Sequence, residues 1–294
     1  MECGNERGSQ MNNAKRFLLP LICIAVFVGA NVAAFQFEAH VFAVIALNVV
    51  LIGIYMYATR VGRMAFMANF HFMQGNKEQG KMLAQRAFAL GAKNPALYLN
   101  CAVVLIHEGN AEEAFGYLDK AEELNKDLFM QKSIEITRAS CNQVAGKTDV
   151  AVALLEAMRE KYEYVSHGAL STLGFLYIMQ GELEKAKEAS EAAIEDKPDA
   201  NAAWDNLGQI AYRQKDFVRA KECFNKALEI RADFAESLYY MGCISEEEGD
   251  EVKAGQYFAK ASDAKITHLS TVSVEQVREK LMKYIEKAVS EENI

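Results

Sequence analysis

The sequence predicts an all-α protein in which an N-terminal two-helix transmembrane hairpin is followed by an α-solenoid of helix pairs. Residues 17–35 and 40–58 are two apolar runs that contain no Asp, Glu, Lys or Arg. Beyond them, a pattern of large and small residues recurs at a constant spacing and fills more than two-thirds of the chain. Its period of about 34 residues is typical of supersecondary units that stack to share one core.

The two apolar runs are each long enough to cross a bilayer, because a membrane helix needs roughly 20 apolar residues. The link between them, residues 36–39, is so short that the helices must form a hairpin with both ends on the same side. The link carries one charged residue, Glu38, whereas basic residues flank the hairpin on both sides: Arg7, Lys15 and Arg16 before it, and Arg60 and Arg63 after it. Since positive flanks stay cytoplasmic, we expect residues 1–16 and all the repeats in the cytoplasm, with a bacterial inner membrane as the expected location.

Several alternatives stay open for this N-terminal region. The first run could be a signal peptide that is cleaved after Ala34, in which case the second run would still anchor the chain. Translation could begin at Met1 or at Met11. A stripe of small residues could hold the hairpin together or join two chains into a homo-oligomer; it consists of Ala25, Gly29 and Ala33. Asn31 and Asn48 could likewise hydrogen-bond within one hairpin or across a dimer.

The repeat is clearest in three consecutive copies. The central copy contains Trp204, Leu207, Gly208, Ala211, Ala220, Phe224 and Ala227. The copy before it contains Leu170, Leu173, Gly174, Tyr177, Ala186, Ser190 and Ala193, and the copy after it contains Leu238, Met241, Gly242, Ser245, Ala254, Phe258 and Ala261. Weaker copies upstream complete a solenoid over residues 61–268, with six units at 61–94, 95–131, 132–166, 167–200, 201–234 and 235–268.

The pattern has a physical reason. The large side chains at Trp204, Leu207 and Phe224 fill the seam between two antiparallel helices, while Gly208 and Ala220 let those helices approach. The motif resembles the tetratricopeptide repeat, whose pattern is W-x2-L-G-x2-Y followed by A-x3-F. This resemblance implies stacked helix pairs with a concave surface that is lined mainly by the first helix of each pair and that binds proteins or peptides.

The C-terminal segment over residues 272–291 is predicted to be an amphipathic helix. Its apolar residues recur three and four apart, as Val274, Val277, Leu281, Tyr284, Ile285 and Ala288, and its opposite face is charged. A solenoid needs a polar outer face on its last unit. We therefore expect this helix to cap the solenoid.

The composition narrows the class of partner. The chain has a net charge of −8, which argues against nucleic acid, because the phosphate backbone requires clustered Lys and Arg. An acidic surface favours partners with basic segments. The six cysteines show no C-x-x-C pair, so neither a zinc site nor a disulfide framework is indicated.

No motif points to catalysis. Gly146, Lys147 and Thr148 match the end of a phosphate-binding loop, but the position of its first glycine is occupied by Cys141, and no strand precedes the motif. The five histidines lack any metal-binding spacing. We therefore expect a chain that is not an enzyme and that carries no metal and no cofactor.

The predicted function is a membrane-anchored scaffold or adaptor that binds a partner peptide or helix in the concave groove. The spacing that the resemblance implies for groove positions gives Asp205, Asn206, Gln209, Tyr212, Arg213, Tyr239 and Tyr240. Of these, the tyrosines and Arg213 are the expected centre, because Tyr and Arg are enriched at binding hot spots. The alternative is an assembly or quality-control subunit of a membrane complex that acts through its transmembrane helices.

Overall fold

The structure is a computed structural model that describes residues 22, 25–29, 31–33 and 41–292. These residues form helices joined by turns and short linkers, and none of them is in a strand. The prediction of an all-α solenoid of paired helices is confirmed. The chain divides into two compact units, of which the first ends at Lys93 and the second begins at Asn94.

The first unit contains helices α1 (Val41–Ala58), α2 (Arg60–Met73) and α3 (Lys77–Ala89). Helices α2 and α3 pack as a pair, with buried small residues on the facing sides: Ala65, Ala68, Gly80, Ala84 and Ala87. A Cβ added at Gly80 would lie 2.6 Å from the Phe72 ring. The glycine is therefore what allows this helix pair to close.

The hairpin region is described only in part. Residues 1–16 and most of the first apolar run lie outside the described residues. Among the described residues no single helix is long and apolar enough to cross a bilayer, but residues 43–58 and α2 meet that requirement as a pair bent by 57°. Asn31 and Asn48 donate to each other's side-chain oxygens at 2.9 Å, which is the first of the two pairings expected from the sequence.

The second unit is a stack of helix pairs followed by a final helix. The pairs are α4 (Pro95–His107) with α5 (Ala111–Leu124), α6 (Leu128–Val144) with α7 (Thr148–Lys161), α8 (His167–Gln180) with α9 (Leu183–Asp196), α10 (Asn201–Arg213) with α11 (Phe217–Ile230), and α12 (Ala235–Glu247) with α13 (Glu251–Asp263). The first helices of successive pairs contact one another in series. This series forms the inner face of the unit.

Local sequence signals set the ends of these helices. Asx side chains accept a hydrogen bond from the first turn of five helices, at Asn94, Asn110, Asp127, Asp216 and Asp250, which satisfies backbone donors that the helix leaves free. The turns inside the pairs use left-handed glycines such as Gly181 and Gly249. Lys215 takes the same left-handed conformation, with φ of 62°, at the equivalent position of the repeat that lies between them.

The seam inside each pair combines a small residue with a large one. A Cβ added at Gly208 would lie 2.5 Å from Phe224, and one added at Gly242 would lie 2.7 Å from Phe258. Both phenylalanine side chains are fully buried. Since interiors are close-packed, the ring occupies the volume that the glycine leaves open, as the repeat pattern predicts.

The final helix, α14 (Val274–Glu292), packs against α13. Its Val277 is buried, and Tyr284 stacks on Phe258 with ring centroids 5.8 Å apart. The Glu246 carboxylate of α12 accepts hydrogen bonds from Lys280, Lys283 and Tyr284. Burial disfavours the charge of Glu246, but these hydrogen bonds outweigh it and hold the pKa of the carboxyl below its usual value.

Candidate functional site

The inner face of the second unit contains a cavity of about 350 Å³. Helix α10 contributes three of the residues predicted from the sequence, which are Asp205, Asn206 and Gln209. Helix α8 contributes Ser171, Thr172 and Phe175, and the start of α12 contributes Phe234 and Glu236. Apolar rings and carboxylates therefore share one concave site.

Asp205 is the most deeply buried acid of this cavity, with only 3% of its surface exposed. Its two carboxylate oxygens accept hydrogen bonds from the Ser237 hydroxyl at 2.6 Å and from the Gln209 amide at 2.7 Å. Burial and the nearby negative charge of Glu236 raise the pKa of Asp205 to about 7, against the lowering effect of the two hydrogen bonds. The carboxyl group is therefore poised to gain or lose a proton near neutral pH, and a cation beside it would favour the ionised form.

The other two polar residues of α10 have different roles. Asn206 donates from its amide to the Ser171 carbonyl at 2.9 Å, and this bond fastens α10 to α8. Gln209 uses its amide nitrogen on Asp205, but among the described residues its buried side-chain oxygen finds no hydrogen-bond partner. An unpaired buried acceptor costs about 1–3 kcal/mol. Gln209 therefore lines the cavity and also carries a buried acceptor that the surrounding helices leave unsatisfied.

The three predicted tyrosines lie between the last two helix pairs. Tyr240 stacks on Phe224 with ring centroids 5.6 Å apart, and the Tyr212 and Tyr240 centroids are 5.0 Å apart. Tyr239 packs against Phe258 at 5.6 Å and faces α14, where it lines a separate pocket. Burial raises the pKa of Tyr212 to about 12. These rings mainly pack the helices together.

Arg213 lies outside the cavity as well. Its guanidinium donates to the Ile178 carbonyl near the end of α8 at 2.9 Å, where a positive charge also suits the negative end of the helix. The structure therefore divides the predicted site into three parts. Asp205, Asn206 and Gln209 meet at the cavity, the tyrosines form an aromatic cluster, and Arg213 caps a neighbouring helix.

The linker between α13 and α14, residues 264–273, forms one wall of the cavity, and we call it the strap. Ile266 and Val272, near its two ends, pack with Leu238 of α12. Its tip reaches the first helix pair of the unit, where Leu269 packs against the core of α4, α5 and α6. The His268 ring lies so close to Gly109 that an added Cβ there would be 2.7 Å from Nε2. The strap therefore crosses the groove from the last helix pair to the first.

Sequence reasoning missed several lining residues that the repeat period marks. Ser171 and Phe175 lie one repeat before Asp205 and Gln209, and they face the same cavity. Glu236 lies one repeat after Ala202, which also lines the cavity. The strap carries no such signal, because it lies after Ala261, the last position of the repeat pattern in the final copy. Within the described part of the chain, no group of three or more His, Cys, Asp or Glu side chains is arranged to hold a metal ion.

Comparison with known proteins supports the nature of the repeat. A family model described as "Tetratricopeptide repeat" matches residues 202–234, and no curated protein matches the chain. A tetratricopeptide repeat protein from Parabacteroides merdae is 14% identical, with a TM-score of 0.59 over 96% of this chain and 100% of its own. PilW, described as a type IV pilus biogenesis factor, is 15% identical, with a TM-score of 0.53 over 69% of this chain and 92% of its own. Pseudomonas aeruginosa pilF is 15% identical, with a TM-score of 0.52 over 77% and 97%.

At such identities the similarity concerns the fold. The family model and the solved structures agree with the stacked helix pairs described above. Residues 202–234 are therefore a tetratricopeptide repeat, and the chain has the fold of tetratricopeptide-repeat proteins.

Proposed function

We propose that this chain is a protein-interaction scaffold that binds an extended segment of a partner protein in the groove of its second unit. The observation that carries the proposal is the cavity of about 350 Å³ in which the polar residues Asp205 and Gln209 lie beside the rings of Phe175 and Phe234. Ligand sites typically have volumes of about 300–1,000 Å³ and combine apolar walls with a few convergent polar groups. This cavity has both properties.

The chemistry of the walls favours a basic partner. Glu236 gives one side of the cavity a negative character, Asp205 adds to it when a cation beside it favours the ionised form, and Phe175 and Phe234 supply apolar surface. A Lys or Arg side chain fits both, since its stem packs on rings and its charged end reaches a carboxylate. The net charge of −8 attracts basic segments at longer range.

We also propose that residues 17–58 hold the scaffold at a membrane, in a bacterial cell with the repeats in the cytoplasm. The apolar side chains of α1 are exposed, among them Val49 at 64% and Val50 at 57%. The mutual hydrogen bonds of Asn31 and Asn48 satisfy the polar groups that such a position would otherwise leave unpaired. Exposed Phe66, Phe70 and Met73 extend the apolar surface along α2.

That apolar surface also favours the second candidate function, a subunit that assembles or monitors a membrane complex through its spans. Replacement of residues 17–58 by an unrelated membrane hairpin separates the two functions. A scaffold that uses the hairpin only as an anchor keeps its activity and its partners after this replacement. A subunit that acts through its spans loses both.

The groove is tested by site-specific photocrosslinking in cells that make the full chain. A benzophenone amino acid replaces Phe175 in the groove or Val218, which is 70% exposed on α11. We expect one dominant adduct from position 175, and we expect the crosslinked residue to lie in a basic segment of the partner. Glu236→Lys should weaken that adduct at least tenfold, whereas Glu184→Lys, the same charge reversal on an exposed position of α9, should not. Equal adducts from both positions, or equal effects of both charge reversals, would exclude groove binding.

A further inference from the structure

The strap lies where a bound segment would run. Its tip contacts the first helix pair of the second unit through His268 and Leu269, while Ile266 and Val272 keep its ends on α12. Thr271 lines the cavity beside Asp205 and lies next to the Tyr240 phenol. An extended segment that follows the groove from α12 to α4 must therefore pass through the space that the strap fills.

The strap is a compact turn, and its tip contacts the groove at a site that we call the Leu269 seat, where Leu269 and His268 meet the first helix pair. The Ser270 N–H donates to the Thr267 carbonyl at 3.0 Å, and the Val272 N–H donates to the Ser270 hydroxyl at 3.1 Å. These bonds are local, so the turn keeps them when it leaves the groove. The Leu269 side chain and the His268 ring attach the tip to the first helix pair. The strap lacks the repeating backbone hydrogen bonds of a helix, so it opens more easily than a repeat helix.

We infer that the strap is an internal competitor for the groove, which it occupies in the free chain and leaves when a partner segment binds. This inference rests on the proposed function and specifies the partner further. The partner segment is extended, and it places an aliphatic side chain where Leu269 lies and a Lys or Arg beside Asp205 and Glu236. Because the competitor is part of the same chain, its displacement reduces the apparent affinity of every groove ligand.

The inference is tested on the full chain by a change that empties the Leu269 seat. Leu269→Ser removes the aliphatic contact, and Leu128→Ser is the matched control, since Leu128 is 63% exposed. We expect amide hydrogen exchange within residues 264–273 to be at least tenfold faster in Leu269→Ser than in the wild type, and unchanged in Leu128→Ser. A fluorescein-labelled peptide with the sequence of residues 264–273 should bind Leu269→Ser at least tenfold more tightly than the wild type.

A second pair of variants perturbs the other side of the seat, in case Leu269→Ser does not fold. Gly109 and Gly181 have nearly the same left-handed conformation, with φ of 82° and 80°. An alanine at either position therefore carries the same backbone strain. At Gly109 the new Cβ would meet the strap, at 2.7 Å from His268 Nε2, while nothing lies within 4 Å at Gly181. Gly109→Ala should speed amide exchange of the strap and admit the peptide more readily than Gly181→Ala does, because only the Cβ at position 109 meets the strap. Equal strap exchange in the two variants would count against the internal competitor.

The outcomes separate this inference from the proposed function. The internal competitor is overturned if the strap amides already exchange fast in the wild type, or if the wild type and Leu269→Ser bind the peptide equally. Neither result bears on groove binding by a partner, which the crosslinking experiment tests. A strap that opens in Leu269→Ser without admitting the peptide also overturns the internal competitor. The proposed function is overturned separately, if Leu269→Ser gives no crosslinked adduct from position 175.

Discussion

Replacement of Asp205 by asparagine is expected to stabilise the protein at pH 8 and to flatten the pH dependence of its unfolding free energy. In the folded chain, burial and the charge of Glu236 raise the pKa of Asp205 from 3.8 to about 7. Between these two values the unfolded chain has lost the proton that the folded chain still holds. Stability due to this group is therefore complete below the unfolded pKa, falls as the pH rises, and is lost once the pH passes the folded pKa.

The size of the effect follows from the same shift. Each pKa unit corresponds to about 1.4 kcal/mol, so the ionised carboxylate makes the folded state less stable at pH 8 by an amount on the order of 4 kcal/mol. Asparagine can keep the hydrogen bond from Ser237, and after rotation of the Gln209 amide it can donate to the Gln209 oxygen that now lacks a partner. We expect a gain of about 2–4 kcal/mol at pH 8 and little gain at pH 4.

The measurement is urea denaturation of the full chain at several pH values from 4 to 8, followed by circular dichroism. The difference between Asp205→Asn and the wild type isolates this group, because the other titrating groups are common to both proteins. Asp263→Asn, at an exposed position at the end of α13, is the control for the chemical change. An Asp205→Asn protein that is less stable than the wild type at pH 8, or a difference that does not vary with pH, would refute the reasoning.

Three further changes are predicted from the packing and the turns. Gly208→Ala should destabilise the chain by at least about 2 kcal/mol, because the added Cβ would meet the Phe224 ring. Gly116→Ala, on α5 with nothing within 4 Å of the added Cβ, should instead stabilise it by about 0.5–1 kcal/mol. Urea denaturation compares the two variants, and equal effects would contradict the close packing of Gly208 against Phe224. Lys215→Gly should stabilise the chain by about 0.5–1 kcal/mol, because glycine adopts the left-handed backbone conformation of position 215 without the steric strain of a lysine. An unchanged or lower melting temperature would contradict this expectation. Glu246→Gln should loosen α14 at pH 7 by about 1–2 kcal/mol, as read by hydrogen exchange. Because the folded chain lowers the pKa of Glu246, this loss should shrink as the pH falls below the usual pKa of the carboxyl. A loss that does not change with acidification would contradict this explanation.

The sequence predicted the helix pairs well because the repeat constrains pairs of residues. A glycine that recurs once per repeat on the first helix, followed by a phenylalanine at a fixed position on the second, already implies that the ring covers the glycine. Gly208 with Phe224 and Gly242 with Phe258 show this contact. The surface residues were harder to place. Tyr240 occupies a groove position by spacing, but its ring turns to stack on Phe224, and spacing does not determine that orientation.

The site could be predicted only where it follows the repeat. Asp205 and Gln209 lie on the groove face by register, yet their mutual hydrogen bond and the raised pKa depend on Ser237 and Glu236 of the next repeat. The strap could not be predicted, because its contacts with α4 and α5 join residues far apart in sequence. Leu269 lies in a linker without periodicity, which gave no indication of its partner.

The strap also changes how the second unit should unfold. In an ordinary linear solenoid each repeat contacts only its neighbours, so the ends fray and the middle persists. Here Leu269 links the last part of the unit to the core of its first helix pair, and the stack of helices becomes a closed ring of contacts. While the strap is in place, the first helix pair cannot melt without also losing its contact with Leu269. Release of the strap should therefore broaden the unfolding transition of the second unit, so that the same segment that closes the groove also sets the cooperativity of the fold.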